Sequence, residues 1–121
     1  MKVSIITVSF NSAKTIASTI DSVLSQDYPN IEYIVVDGGS SDGTVGIIEK
    51  NQSRISKWIS EKDRGMYDAM NKGIAMATGD VIGILNSDDV YMNTHVISEL
   101  IGLMQTKRAQ VVFADLILVD Q

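Results

Sequence analysis

Apolar and polar positions along this chain fall into blocks that switch repeatedly between the periods of strand and helix. Val3 to Phe10 is rich in β-branched residues and reads as a first strand. Ala13, Ile16, Ala17, Ile20, Val23 and Leu24 then recur on one helical face, with Asn11 or Ser12 as the cap. Pro29 punctuates a loop, and Ile31 to Val36 predicts a second strand. The polar turn Asp37-Gly38-Gly39-Ser40-Ser41-Asp42-Gly43 leads to a weaker helix from Thr44 to Ile55. Lys57 to Ser60 is a short strand containing Trp58. After the polar loop Glu61 to Gly65, residues Tyr67, Met70, Ile74 and Ala77 give Met66 to Ala77 a helical period, which Thr78-Gly79-Asp80 ends. Val81-Ile82-Gly83-Ile84-Leu85 is an apolar run bounded by turn residues, the pattern of a buried strand. Ile97, Leu100, Ile101 and Met104 mark another amphipathic helix, capped by Thr94, before strand-like Val111 to Ala114 and Leu116 to Val119.

This alternation predicts an α/β fold with right-handed crossovers and a mostly parallel sheet covered by helices on both faces. At 121 residues the chain is one domain or part of one, without internal repeats or linkers. The last strand pattern runs out at Gln121 with no closing element, so a fragment of a larger domain is expected.

Composition narrows the function classes. With 45% hydrophobic residues the chain can form a real core. Fifteen acids against ten Lys and Arg and one His argue against a nucleic-acid partner, because displacing counterions from a polyanion takes a basic stripe. The absence of Cys excludes disulfides and thiolate metal sites. No apolar run approaches the ~20 residues that span a bilayer, and Met1 to Val8 carries one positive charge and a hydroxyl-interrupted run unlike a signal peptide. The cytoplasm is the expected location.

The candidate chemistry sits where strands end. Asp37 follows Val35-Val36, and Asp88-Asp89 follow the Val81 run with only Asn86 and Ser87 between. In open α/β sheets the crevice beyond the carboxyl ends of strands binds ligands, so three acids would share one rim. Charges beside a core need a cation, a hydroxyl or a backbone donor. A hard metal shared with substrate phosphates would serve; an acidic turn and helix start is the plainer reading. The glycine-rich turn fits neither phosphate-loop spacing: a dinucleotide fingerprint needs Gly at Ser40, and a Walker loop needs Lys at Thr44. Gly38, Gly39 and Gly43 are therefore read as turn glycines. Taken singly, Phe10 reads as core, Asp63 beside Arg64 as a solvated loop charge, Trp58 and the Met residues as core filling, and His95 as surface. Asn71 and Lys72 could approach a diphosphate from their helix, although Lys there is usually just exposed.

Together, Val3 to Asn11, Val35 to Thr44, Gly65 to Ile74, Ala77 to Asp80 and Asn86 to Asp89 resemble family 2 glycosyltransferases of bacterial polysaccharide assembly, in order and across essentially the whole chain. The resemblance implies the Rossmann-like, nucleotide-sugar-binding half of the GT-A fold, the acceptor-binding half being absent from residues 1–121. It implies that Phe10 lies against the base, that Asp37 accepts from the base N–H edge, and that Asp63 completes the base pocket. Asp88 would take ribose or sugar hydroxyls, and Asp89 would hold Mn²⁺ or Mg²⁺ against the diphosphate. Ser87 stands where the family's metal motif often has its first acid, so direct ligation rests on Asp89 and weak metal affinity is expected without nucleotide. The implied reaction moves a sugar from a nucleoside-diphosphate donor, with a preference for uridine or another pyrimidine, to a sugar or lipid-linked glycan acceptor with inversion. The family's general base lies well downstream, so these residues are expected to bind donor without turning it over. Peripheral association at the inner face of the membrane is compatible with this, and an unfinished sheet edge leaves oligomerisation open.

Two rival readings fit these residues less well. A glycoside hydrolase needs facing carboxyls with a gap of ~5 Å or more, whereas neighbours such as Asp88 and Asp89 tend to diverge in extended chain. A non-enzymatic nucleotide-sensing or receiver-like signalling domain also gathers acids at strand ends, but receivers place an acid pair after the first strand, where this chain has Ser9-Phe10-Asn11.

Overall fold

The structure, a computed structural model, describes residues 1–107. Four parallel strands, β1 (Val3–Ser9), β2 (Ile31–Asp37), β3 (Lys57–Ser60) and β4 (Val81–Ile84), form one sheet in the order β3-β2-β1-β4. Between and after them lie α1 (Ile16–Leu24), α2 (Thr44–Lys50), α3 (Met66–Met76) and α4 (Val96–Lys107). The expected strands at Val111 to Ala114 and Leu116 to Val119 lie outside the described residues.

The strands β1 and β2 are interior, which is why both read as near-continuous apolar runs. Alternate residues serve opposite faces. Val3, Ile5, Tyr33 and Val35 pack with Ile16, Ile20, Val23, Ile48 and the first turns of α4, while Ile6, Val8, Ile34 and Val36 meet Ala69 of α3. Contact on the second face is close: a Cβ on Gly73 would lie 2.5 Å from Ile6 Cγ2.

The opposite end of the sheet from the strand tips is tied by a buried carboxylate. Glu32, 6% exposed, accepts from Ser4 Oγ at 2.7 Å and from the Thr78 N–H at 2.8 Å, and pairs with Lys57 Nζ at 3.2 Å. Burial pushes its pKa up, but the Thr78 and Ser4 hydrogen bonds and Lys57 outweigh this and bring it down to about 2. Gly79 donates its N–H to Ser4 Oγ, and a Cβ there would lie 2.8 Å from Ser4 N. Ala77 to Asp80, singled out above for resemblance, is thus an anchor far from the strand tips.

Several expectations need correction. Neither Asn11 nor Ser12 caps α1 by side chain; Thr15 is the cap residue and a turn precedes it. Within α1 the inward positions include Thr19, and Ala17 is exposed. The helix expected from Thr44 to Ile55 breaks at Asn51 into a 3-10 turn, Gln52–Arg54. In α3 the buried face is Ala69 and Gly73, while Tyr67 is 81% and Ile74 43% exposed: apolar character misled because close approach to β1 requires small residues. Strand β4 lies at the sheet edge among the described residues, and Ile82 is exposed rather than buried. Ahead of α4, the Asn93 side chain takes the His95 N–H, in the place expected of Thr94. Trp58 is half-buried against the core, but Met66 and Met92 are exposed.

Candidate functional site

Because the strands are parallel, the four loops leaving their carboxyl ends meet on one rim. Gly38 N–H bonds Ser9 O and Ser87 N–H bonds Val8 O, which fastens the second and fourth loops to the end of β1. Together the loops enclose a cavity of about 890 Å³, whose lining includes Phe10, Lys14, Gly38, Asp42, Lys62, Asp63, Asn86, Ser87 and Asp88.

The residues expected from sequence divide into three groups. Phe10, Asp63 and Asp88 line the cavity. Phe10 is 63% exposed, not core, because Asn11 after it takes a left-handed conformation (φ 47) that turns the chain out of the strand. Asn11 is held there: its N–H donates to Ser40 Oγ at 2.8 Å, and its Oδ1 accepts from the Ser41 N–H at 2.9 Å. Asp63 spends Oδ1 on the Gly65 N–H at 2.9 Å, which leaves Oδ2 over Gly38.

Asp89 adjoins the cavity without lining it and is half-buried. Burial, reinforced by the charge of Asp88, raises its pKa. Uncompensated negative charge of this kind fits a cation. Among the described residues no group of three His, Cys, Asp or Glu side chains surrounds that point. The described residues thus offer no preassembled cage, and a hard divalent ion held at Asp89 would take the rest of its oxygen shell from phosphate and water.

Asp37 corrects the expectation. Its side chain is fully buried and absent from the cavity lining. Oδ1 accepts from Ser9 Oγ and Ser40 Oγ; Oδ2 accepts from the Gly39 N–H, the Ser40 N–H and Ser60 Oγ. Burial pushes its pKa up, but these hydrogen bonds, led by Ser40, hold it below the usual carboxylate range. A carboxylate offers about four lone-pair sites, so five donors leave none for a base. Asp37 shapes the loop that carries Gly38. It is equally unsuited to accept a phosphoryl group, which removes the receiver-like reading. Lys72 is also committed, to Glu61 Oε2 at 2.9 Å and Lys62 O, and braces the loop before α3.

Sequence reasoning missed four groups. Asp42 clamps two loops, accepting from the Ala13 N–H at 3.1 Å and from the Thr44 N–H and hydroxyl. Ser12 Oγ lies 2.6 Å from Ser87 Oγ, and buried Thr19 Oγ1 reaches Ser87 O and Asp89 O. Asn86 Oδ1 is the one buried side-chain polar atom without a hydrogen-bond partner among the described residues. An unmet buried acceptor costs about 1–3 kcal/mol, which a ligand's N–H or O–H would relieve. Thr19 left its own signal, a polar residue between Ile16 and Ile20 on the inward stripe, while Asp42 and Asn86 stood in the resembling segments and Ser12 at a helix start without these roles.

A family model described as Glycosyl transferase family 2 matches residues 4–121. An uncharacterized glycosyltransferase of Mycobacterium tuberculosis is 41% identical over 106 residues, covering 87% of this chain and 40% of its own length. A second relative, the Escherichia coli UDP-Glc:alpha-D-GlcNAc-diphosphoundecaprenol beta-1,3-glucosyltransferase WfaP, is 40% identical over 107 residues, covering 88% of this chain and 42% of its own. The chain thus spans about two fifths of the length of these curated relatives. Among solved structures, Staphylococcus aureus TarS 1-349 in complex with UDP-GlcNAc superposes with a TM-score of 0.80 at 26% identity, over 89% of this chain and 32% of that one. The mannosyltransferase PcManGT of Pyrobaculum calidifontis, in complex with GDP-Man and Mn2+, gives 0.78 at 25% identity, over 85% and 32%.

Proposed function

The chain belongs to glycosyl transferase family 2, and from that premise we propose that its cavity binds a nucleoside-diphosphate sugar, a UDP-sugar by preference, for transfer to an acceptor hydroxyl with inversion during glycan assembly. The observation that carries the reading is the convergence of Phe10, Asp63 and Asp88, from three separate loops, on one cavity at the strand ends.

Each residue has a chemical part. Phe10 offers an apolar face on which a base can stack. Asp63 retains one free oxygen over Gly38, a match for the single N–H on the edge of uracil; guanine presents two. Asp88 accepts from ribose or sugar hydroxyls, and Asn86 Oδ1 gains the partner it lacks. Asp89, with the diphosphate, would hold Mn²⁺ or Mg²⁺. When bound, such an ion would supply Lewis-acid stabilisation of a diphosphate leaving group. Asp37, Asn11, Asp42 and Ser87 keep the loops in register. The acceptor's proton needs a general base, and none is assigned among the described residues.

Two relatives support the donor class: WfaP is named for UDP-Glc, and TarS is solved with UDP-GlcNAc. The name of WfaP also supports a sugar or lipid-linked glycan acceptor, and with it action at the inner face of the membrane. No helix among the described residues is long and apolar enough to cross one, so attachment by these residues would be peripheral.

Calorimetric titration with UDP, CDP, ADP and GDP in the presence of Mn²⁺ tests the reading. UDP should bind tightest, and failure of all four to bind would overturn it.

A further inference from the structure

The segment around and after the acid pair is laced to α1 and the residues just beyond it by three side chains, Thr19, Ser22 and Gln26. Thr19 Oγ1 lies 2.9 Å from Ser87 O and 2.6 Å from Asp89 O. Three residues on, Ser22 Oγ accepts the Tyr91 N–H at 3.3 Å. Gln26 follows, its Nε2 donating to Asn93 O at 2.6 Å and its Oε1 accepting the Ile97 N–H at 3.1 Å. Thr19 and Ser22, three apart, share one helical face, and Gln26 continues the line just beyond the end of α1.

Of these rungs, Thr19 alone spans the acids. Its side chain is fully buried, and its single hydroxyl proton is shared between carbonyls two residues apart, one on each side of Asp88. The turn has its own bond, from the Asp89 N–H to Asn86 O at 3.0 Å, and Ser87 is fixed by Val8 O and Ser12 Oγ. Asn86 O thus holds the Asp88–Asp89 peptide itself, and Thr19 holds the peptides on either side of it, Ser87–Asp88 through Ser87 O and Asp89–Val90 through Asp89 O.

We propose that Thr19 is a positioning residue for the Asp88-Asp89 turn: its buried hydroxyl, seated between the carbonyls of Ser87 and Asp89, sets the directions in which the two carboxylates leave the chain. This rests on the reading that those carboxylates engage donor and cation. Positioning of this kind matters at a metal, where loss of a group that orients a ligand typically weakens affinity about 10–100-fold.

The test is calorimetric titration of the full chain with UDP, with and without Mn²⁺, for the parent, Thr19→Val, Thr19→Ser and Ser22→Ala. Thr19→Val should weaken UDP binding in Mn²⁺ by about tenfold or more and weaken metal-free binding, where only Asp88 is engaged, by less, so that the gain from Mn²⁺ shrinks. Thr19→Ser should behave as the parent. Ser22→Ala should lower the melting temperature without altering the gain from Mn²⁺, which separates loosening of the strap from misaiming of the acids. Should Thr19→Val not fold, Thr19→Cys, with a weak S–H donor, gives the same reading. Unchanged Mn²⁺ dependence in both Val and Cys variants, or equal loss in Ser and Val, would overturn the role of the hydroxyl while leaving the donor reading intact. A parent that binds UDP with no gain from Mn²⁺ would overturn the cation at Asp89 and this proposal with it, and a parent that binds no UDP in either condition would overturn the donor reading.

Discussion

A Cβ placed on Gly38 would lie 2.7 Å from Asp63 Oδ2, so the carboxylate from the loop after β3 fills the space that any side chain after Asp37 would need. The obstacle is the end of a rotatable side chain, not backbone. Gly38→Ala should therefore fold nearly as well as the parent while displacing the Asp63 carboxylate. Loss of a charge-assisted hydrogen bond is worth about 1.5–3 kcal/mol, so UDP affinity should fall by about tenfold or more, as in Asp63→Asn. Calorimetry beside thermal melting separates the two effects, and parent-like affinity would show that Asp63 does not read the base.

Asn86 presents the opposite trade. Its orphaned Oδ1 burdens the unliganded fold, so Asn86→Ala should change stability by no more than about 1 kcal/mol. Nucleotide affinity should nonetheless drop several-fold. A large loss of stability in a denaturant melt would mean that the atom has a partner within the protein.

Glycine substitutions test the packing on either face of the sheet. Gly73→Ala drives a methyl into Ile6, and Gly79→Ala into the backbone of Lys2 and Ser4; each should cost about 1–3 kcal/mol. Gly46→Ala, inside α2 with nothing within 4 Å, should stabilise by about 0.5–1 kcal/mol. Urea unfolding of the three variants decides the ranking.

Acid stability should report Glu32. Its carboxyl titrates near 2 when folded against 4.5 ordinarily. The folded pKa is depressed, so its contribution is complete above pH 4.5 and is lost as pH falls towards 2. Glu32→Gln should flatten the stability profile between these limits. A mutant profile parallel to the parent's would assign the acid sensitivity elsewhere.

The parallel sheet and the gathering of acids on one rim were legible because strand and helix patterns alternate along the chain and parallel pairing puts every strand tip on one side; the order β3-β2-β1-β4 was not. Helix faces were read less well. Tyr67 and Ile74 gave α3 an apolar stripe, yet the face against Ile6 is built from Ala69 and Gly73, since closeness there excludes larger groups. Among the site residues, the exposure of Phe10 depends on the left-handed Asn11, which no periodicity reveals. The saturation of Asp37 was hidden for another reason: two of its donors, Ser9 and Ser60, lie 28 and 23 residues away and become neighbours only once the strands pair.

The central claim is that loops from different strands grip one nucleoside diphosphate, with a cation held at Asp89. Thermal melting of the parent and Asp89→Ala, with UDP alone and with UDP plus Mn²⁺, tests it most directly. At a hundredfold excess over Kd the parent should gain about 2.7 kcal/mol, with Mn²⁺ deepening the shift, and Asp89→Ala should lose the increment due to Mn²⁺. Equal shifts in both proteins, or none in either, would contradict the account.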